Sequence, residues 1–249
     1  VDPDYNFTAG EFCRRADGAV KEIAAKGKYP VFVGGTGLYI DSFFKGMSQM
    51  PEVPSEVRKA VAEMSDFQGM DAMYLRLQEV DPDYAARIHQ NDSQRILRAL
   101  EVFEASGKPI SFFHSGKDSR ESEDTLYIGL LWDREKLRRR IDQRVDEMVR
   151  DGFFDEVEGL RGMGYSSELK SMKSIGYNEI NSYFDGQCSK EEAVEKIKTV
   201  TKKYAKRQMT WFRKNKKVNW FGSDEIDRVF DKLYLWEKEG GGTNGEATE

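Results

Sequence analysis

The sequence is poor in the residues that carry metal and redox chemistry. It has two cysteines, Cys13 and Cys188, and two histidines, His89 and His114. No C-x-x-C pair occurs, which excludes zinc-ribbon and dithiol redox chemistry, and two histidines exclude a His-rich metal site. So few cysteines fit a reducing cytoplasm better than a disulfide scaffold. No apolar run approaches the roughly 18 residues that a membrane-spanning helix needs. The opening Val1-Asp2-Pro3-Asp4 is polar, has no initiator methionine and does not resemble a signal peptide. The expectation is a cytoplasmic protein with no membrane association, read here from a fragment.

The remaining absence is local. Between Lys196 and Lys217 there is no acid at all, while ten lysines and arginines are interleaved with Tyr204, Trp211 and Phe212. The whole chain has a net charge of −5, so this stretch is a basic stripe on an acidic body. Such a stripe is either a solvated helix face or the electrostatic footprint of a nucleic acid. At 100° per residue, Lys198, Lys202, Lys206 and Arg213 share one arc, and Ile197, Val200, Tyr204, Gln208 and Trp211 lie on the opposite side. The expectation is one buried and one cationic face. A glutamine in a buried arc needs a partner.

The rest of the 249 residues reads as a soluble α/β protein, with 39% hydrophobic and 33% charged residues. A helix ending at Gly27, with Phe12, Ala16, Val20 and Ile23 at helical spacing, leads into the apolar run Tyr29–Val33. The turn Gly34-Gly35-Thr36-Gly37 and an apolar segment to Phe44 follow. Helix, buried strand, glycine turn and helix is the grammar of a parallel sheet. Residues 51–116, entered through Pro51 and Pro54, show helical patterns and no strand, and read as an all-helical insertion. A strand over Thr125–Trp132 comes next, then a helix Arg134–Arg150 capped by Asp133. Helices follow over Phe153–Met163, Ser171–Tyr183 and Lys190–Arg213. A strand Val218–Phe221 and a helix Ile226–Trp236 close the fold. The core is thus 1–50 and 117–238, and 239–249 is a disordered polar tail.

Several residues can carry chemistry. A strand feeding the Gly34–Gly37 turn at a helix start exposes N–H groups that can cradle phosphate, and the Thr36 hydroxyl can bond phosphate or base; a tight turn with no ligand has the same sequence. Arg140 and Arg144, at i and i+4, can clamp a diphosphate with their planar forks, or simply pair with Asp142, Asp146 or Glu147. Gln94, Arg95 and Arg98 start a helix where phosphate and base edges are in reach, or merely mark a domain junction. Gly176, within an apparently helical pattern, costs about 1 kcal/mol against alanine and points to a close backbone approach. Lys173 beside it is a phosphate contact or an ordinary surface lysine.

These segments, in this order, resemble the tRNA dimethylallyltransferase family of bacterial type. The likeness runs from about Pro3 to Trp236 and includes Val33–Tyr39, Gln94–Arg98, Arg140–Val145, Ser174–Tyr177 and Lys206–Arg213. The resemblance implies an α/β fold with a P-loop-kinase-like parallel sheet core and a helical insertion that grips the anticodon stem-loop. It implies transfer of a dimethylallyl group from dimethylallyl diphosphate to the exocyclic amine of the adenosine 3' of the anticodon. Mg2+ would accompany the diphosphate, and the protein is expected to be a monomer. By the same resemblance Thr36 meets the target nucleotide. Arg58, Gln94, Arg95, Arg98, Lys173, Gly176, Tyr177, Lys206, Arg207, Gln208 and Arg213 meet the tRNA, and Gly34, Gly35, Arg140 and Arg144 meet the diphosphate. The family also has a Gly-x-x-x-x-Gly-Lys-Ser/Thr loop and an aspartate general base ahead of these segments. Neither is in the chain, so the stretch on its own is expected to transfer little or no prenyl group and its sheet to lack a central strand. A non-catalytic RNA-binding module and a small-molecule phosphotransferase are the other readings.

Overall fold

The computed structural model describes residues 1–48, 50–114 and 125–241. Chain packing divides the polypeptide into two compact units, Val1–Ile40 with Glu121–Glu249, and Asp41–Arg120. The expected boundaries at 51 and 116 differ from these, and the expected tail lies outside the described residues from 242 on.

The first unit opens with α1 (Ala9–Ala25), whose N-cap Thr8 accepts from the Glu11 N–H. Helix α2 (Gly37–Phe44) follows the glycine turn and runs across the division between the units. The second unit is all helical among its described residues, as the pattern of the insertion implies: α3 (Ser55–Gln68), α4 (Met70–Val80), α5 (Pro82–Ala85), α6 (Ser93–Ser106) and α7 (Ile110–Phe113). Its core gathers Val61, Met73, Leu77, Ile96, Leu100 and Val102, all essentially buried. Ile96, Ala99, Leu100 and Val102 line one side of α6, which is the 3.6-residue period at work. The Asp81 carboxylate is also buried, and accepts from the backbone N–H groups of Tyr84 and Ser111. A buried carboxylate held by backbone donors is satisfied and needs no ligand.

The first unit resumes with β1 (Tyr127–Leu131), then α8 (Arg134–Arg150), α9 (Phe153–Gly162), α10 (Tyr177–Phe184), α11 (Lys190–Phe212), β2 (Val218–Gly222) and α12 (Ile226–Lys238). The strands β1 and β2 pair in parallel, Tyr127 opposite Val218 and Leu131 opposite Gly222. Asp133 caps α8 by accepting from the N–H groups of Glu135 and Lys136. Those bonds and the neighbouring Lys136 hold its carboxyl below the usual range. The core of this unit is Val145, Phe153, Phe154, Val157, Met172, Ile180, Ala193 and Ile197, drawn from α8 to α11.

Two expected elements are corrected. Tyr29–Val33 is not a buried strand: Val31 is 79% and Val33 93% exposed, and the described sheet holds only β1 and β2. With no strand of the described sheet beside it, the run cannot be buried as a sheet strand, and Tyr29 instead packs edge-on against Trp236 of α12. The helix expected over Ser171–Tyr183 starts only at Tyr177, because Gly176 has a φ of +97°. That left-handed conformation stops a right-handed helix, and a side chain is strained there.

A Cβ on Gly176 would also sit 2.6 Å from the Phe153 ring. Gly176→Ala should therefore lower stability by about 1–3 kcal/mol, read as a shift of the urea midpoint. A midpoint equal to that of the parent protein would show that neither the positive φ nor the Phe153 contact constrains the site.

Candidate functional site

The site is built on α11. Its first half is fixed from two sides. Ala193 and Ile197 are buried in the core. Lys198 and Lys202, at 14% and 26% side-chain exposure, reach α8 instead of solvent, pairing with Asp146 at 2.8 Å and Asp142 at 2.5 Å. Asp146 first, and Glu195 second, raise the pKa of Lys198. This corrects the expected cationic arc. Lysines facing an acidic helix are neutralised by it, and periodicity alone cannot say where that helix lies. Lys196, Lys203, Lys206, Arg207, Arg213 and Lys214 stay exposed. None of them has an ionic partner among the described residues.

Pairs 142–202 and 146–198 run in opposite directions, so α8 and α11 are antiparallel. That register brings the start of α8 and the C-terminal half of α11 to one end of the helix pair. Lys203, Lys206, Arg207, Thr210, Trp211 and Lys214 line an open groove of about 470 Å3 there. Arg140 lies near this end, its guanidinium 4.4 Å from the centre of the Trp132 ring, and Trp132 follows β1 directly. Ligands of parallel α/β proteins gather at this C-terminal end of the strands. Arg144 is exposed and has no ionic partner among the described residues. Since Lys202 and Lys198 take up Asp142 and Asp146, neither arginine is committed to those acids.

The glycine turn meets the same end of α11. The Gln208 side-chain amide donates to the Gly35 carbonyl at 3.0 Å, which is the partner its place in a buried arc demands. A Cβ on Gly35 would lie 2.1 Å from Gln208 Nε2, and one on Gly37 2.4 Å from the Trp211 indole. Thr36, between them, is exposed, and its carbonyl accepts from Tyr39 and Ile40 as α2 begins. Gly34 has open space around it. The first N–H groups of α2 have no intrahelical acceptor and so form a small electropositive rim.

The remaining sequence-selected residues are placed each within its own unit. Lys173 is exposed and pairs with Glu168 at 2.7 Å. Gly176 is buried at the start of α10, and its N–H donates to the Glu179 carboxylate. The Tyr177 hydroxyl donates to Glu156. Arg58, Gln94, Arg95 and Arg98 belong to the second unit; Arg95 pairs with Asp92 and Arg98 with Glu101 at 3.2 Å. Arg58 and Gln94 are exposed. Sequence reasoning did not single out Trp132, Lys203 or Lys214. A signal for the two lysines exists: Lys203, Lys206, Arg207, Thr210 and Lys214 fall within an arc of about 100°.

A basic helix end, a glycine turn and two arginines of α8 thus form a surface rich in cations and hydrogen-bond donors. Residues 1–215 match the family described as IPP transferase. A tRNA dimethylallyltransferase of Geobacter sulfurreducens is 45% identical over 234 residues, which are 94% of this chain and 74% of the relative. The solved tRNA delta(2)-isopentenylpyrophosphate transferase of Staphylococcus epidermidis superposes with a TM-score of 0.63 at 34% identity, over 96% of this chain and 79% of that one. A eukaryotic dimethylallyltransferase solved acting on tRNA shares the fold, with a TM-score of 0.74 at 23% identity, over 96% of this chain and 63% of that one. The chain belongs to the IPP transferase family.

Burial, and secondarily the Glu156 carboxylate, push the Tyr177 phenol up to about 12. Its folded pKa lies above the unfolded value. The stabilisation it contributes is therefore complete below about pH 10 and disappears as pH rises through about 12. Glu156→Gln should move the Tyr177 transition down, as followed by phenolate absorbance; an unmoved transition would show that the carboxylate plays no part.

Proposed function

We infer that the protein transfers a dimethylallyl group from dimethylallyl diphosphate to the exocyclic amine of the adenosine 3' of the anticodon in tRNA. The observation that carries this reading is the docking of the glycine turn on the cationic end of α11 through Gln208 and Gly35. The exposed Thr36 thereby belongs to a turn docked on the helix whose C-terminal half carries cations with no acid among them.

In this reading Thr36 contacts the target nucleotide. Lys206, Arg207 and Arg213, with Lys203 and Lys214, hold RNA phosphates. Arg58, Gln94, Arg95, Arg98, Lys173, Gly176 and Tyr177 are assigned to the tRNA by family resemblance, and the ion pairs of Arg95, Arg98 and Lys173 would open to meet phosphate. The reaction joins the amine nitrogen to the allylic carbon, breaks that carbon's bond to the diphosphate oxygen and releases the amine proton to a base. Negative charge grows on the leaving diphosphate. Arg140 and Arg144 would stabilise it with charge-assisted hydrogen bonds, together with the N–H groups of Gly34 and Gly35. Arg140 stacked on Trp132 is pre-oriented for that task. Mg2+ enters with the diphosphate: among the described residues no three His, Cys, Asp or Glu side chains form a metal cage, and Mg2+ is held largely by phosphate oxygens and water. None of the steps assigned to this chain runs through the ion. The P-loop-kinase-like core belongs to this same reading.

In the full-length protein, Thr36→Ala should cut prenylation about 100-fold, and Arg140→Ala together with Arg144→Ala should raise KM for the diphosphate. Unchanged turnover in Thr36→Ala would remove the nucleotide contact from the scheme. Replacing Lys203, Lys206 and Lys214 by alanine should lower the slope of log affinity against log salt for an anticodon stem-loop by about 2. Replacing Lys198 and Lys202 instead should leave that slope alone and lower stability. Equal slopes in both sets would remove the groove as the phosphate track.

A further inference from the structure

We propose that Gln208 and Trp211 are positioning residues that hold the Thr36 turn in its working shape, rather than groups that contact RNA. The proposal rests on the prenyl-transfer reading, in which Thr36 meets the target nucleotide.

Three observations support it. First, a side-chain N–H of Gln208 donates at 3.0 Å to the carbonyl of Gly35, the residue just before Thr36. Second, both glycines flanking Thr36 are needed for space and not for backbone shape. Neither Gly35 nor Gly37 is among the glycines with positive φ. Yet a Cβ at Gly35 would press on the Gln208 amide at 2.1 Å, and one at Gly37 on the Trp211 indole at 2.4 Å. Third, the platform bearing Gln208 and Trp211 is itself fixed by the α8 ion pairs and by buried Ala193 and Ile197. Thr36 is thus an exposed residue pinned on both sides by one well-anchored helix. A reacting contact gains rate from this kind of support, because a displacement of about 1 Å costs on the order of 100-fold.

The test uses the full-length protein with Gln208→Ala, Gly35→Ala and the double variant. Gly35→Ala displaces only the tip of a flexible side chain, so both single changes break one contact and leave the fold. Three readouts apply: amide hydrogen exchange across residues 34–40 of the free protein, affinity for an anticodon stem-loop, and kcat with KM for prenylation. Each single variant should speed exchange in the turn and lower kcat by about 10- to 100-fold, with RNA affinity within about twofold. The double variant should be no worse than either single one, since both remove the same interaction. Unaltered exchange in Gln208→Ala, additive losses in the double variant, or a loss confined to RNA affinity would each overturn the proposal. A wild-type protein that binds the stem-loop but transfers nothing would count against the prenyl-transfer reading alone. Hydrogen exchange and the pairwise comparison would still decide the positioning role.

Discussion

The close approach of the Gly34–Gly37 turn to the C-terminal half of α11 is the constraint on which the rest of the site depends. It leaves no room for a Cβ at Gly37, where the Trp211 indole stands, and at Gly35 a Cβ would displace the Gln208 amide that makes the contact. It also requires that α11 not move. A helix of 23 residues can bend and slide, but α11 is held by its buried apolar face and by two ion pairs to α8 in antiparallel register. These pairs are partly screened by the protein, so they hold better than fully exposed ones, whose worth is about 0–1 kcal/mol. The exposed Thr36 and the start of α2 behind it are then held in place against α11.

The same two ion pairs sort the charge of the basic helix. Lys198 and Lys202 are turned inward and neutralised. Lys203, Lys206, Arg207 and Lys214 are left along the open groove. An acidic protein, with a net charge of −5, can thus present a cationic track to a polyanion while repelling it elsewhere. In the proposed function that contrast would serve orientation as much as affinity, because a stem-loop approaching another face would meet more acids.

Much of the fold was legible in the sequence. Asp133 before Arg134, the helical pattern within 51–116 and the strand within Thr125–Trp132 all read correctly, because capping, periodicity and β-branched or apolar runs are local properties. The errors arose where a distant partner decides the outcome. The run Tyr29–Val33 has strand composition, but a strand needs a neighbour. Gly176 was rightly singled out as a close approach, yet neither its positive φ, which ends the helical pattern, nor the Phe153 ring that a Cβ would meet could be read from the spacing. Gln208 was read as a buried polar group in need of a partner, but Gly35 as that partner, 173 residues away, could not be seen in the spacing. The helical period gave the cations of α11 a common arc, while the acids of α8 chose which of them stay free.

The account's central claim is that the Thr36 turn, docked on α11, is where the target adenosine sits. The most direct measurement is photo-crosslinking of an anticodon stem-loop that carries 8-azidoadenosine at the modified position, followed by mass mapping of the labelled peptide. The account predicts label on the peptide around Gly34–Tyr39. Label confined to peptides far from both that turn and the end of α11 would contradict it.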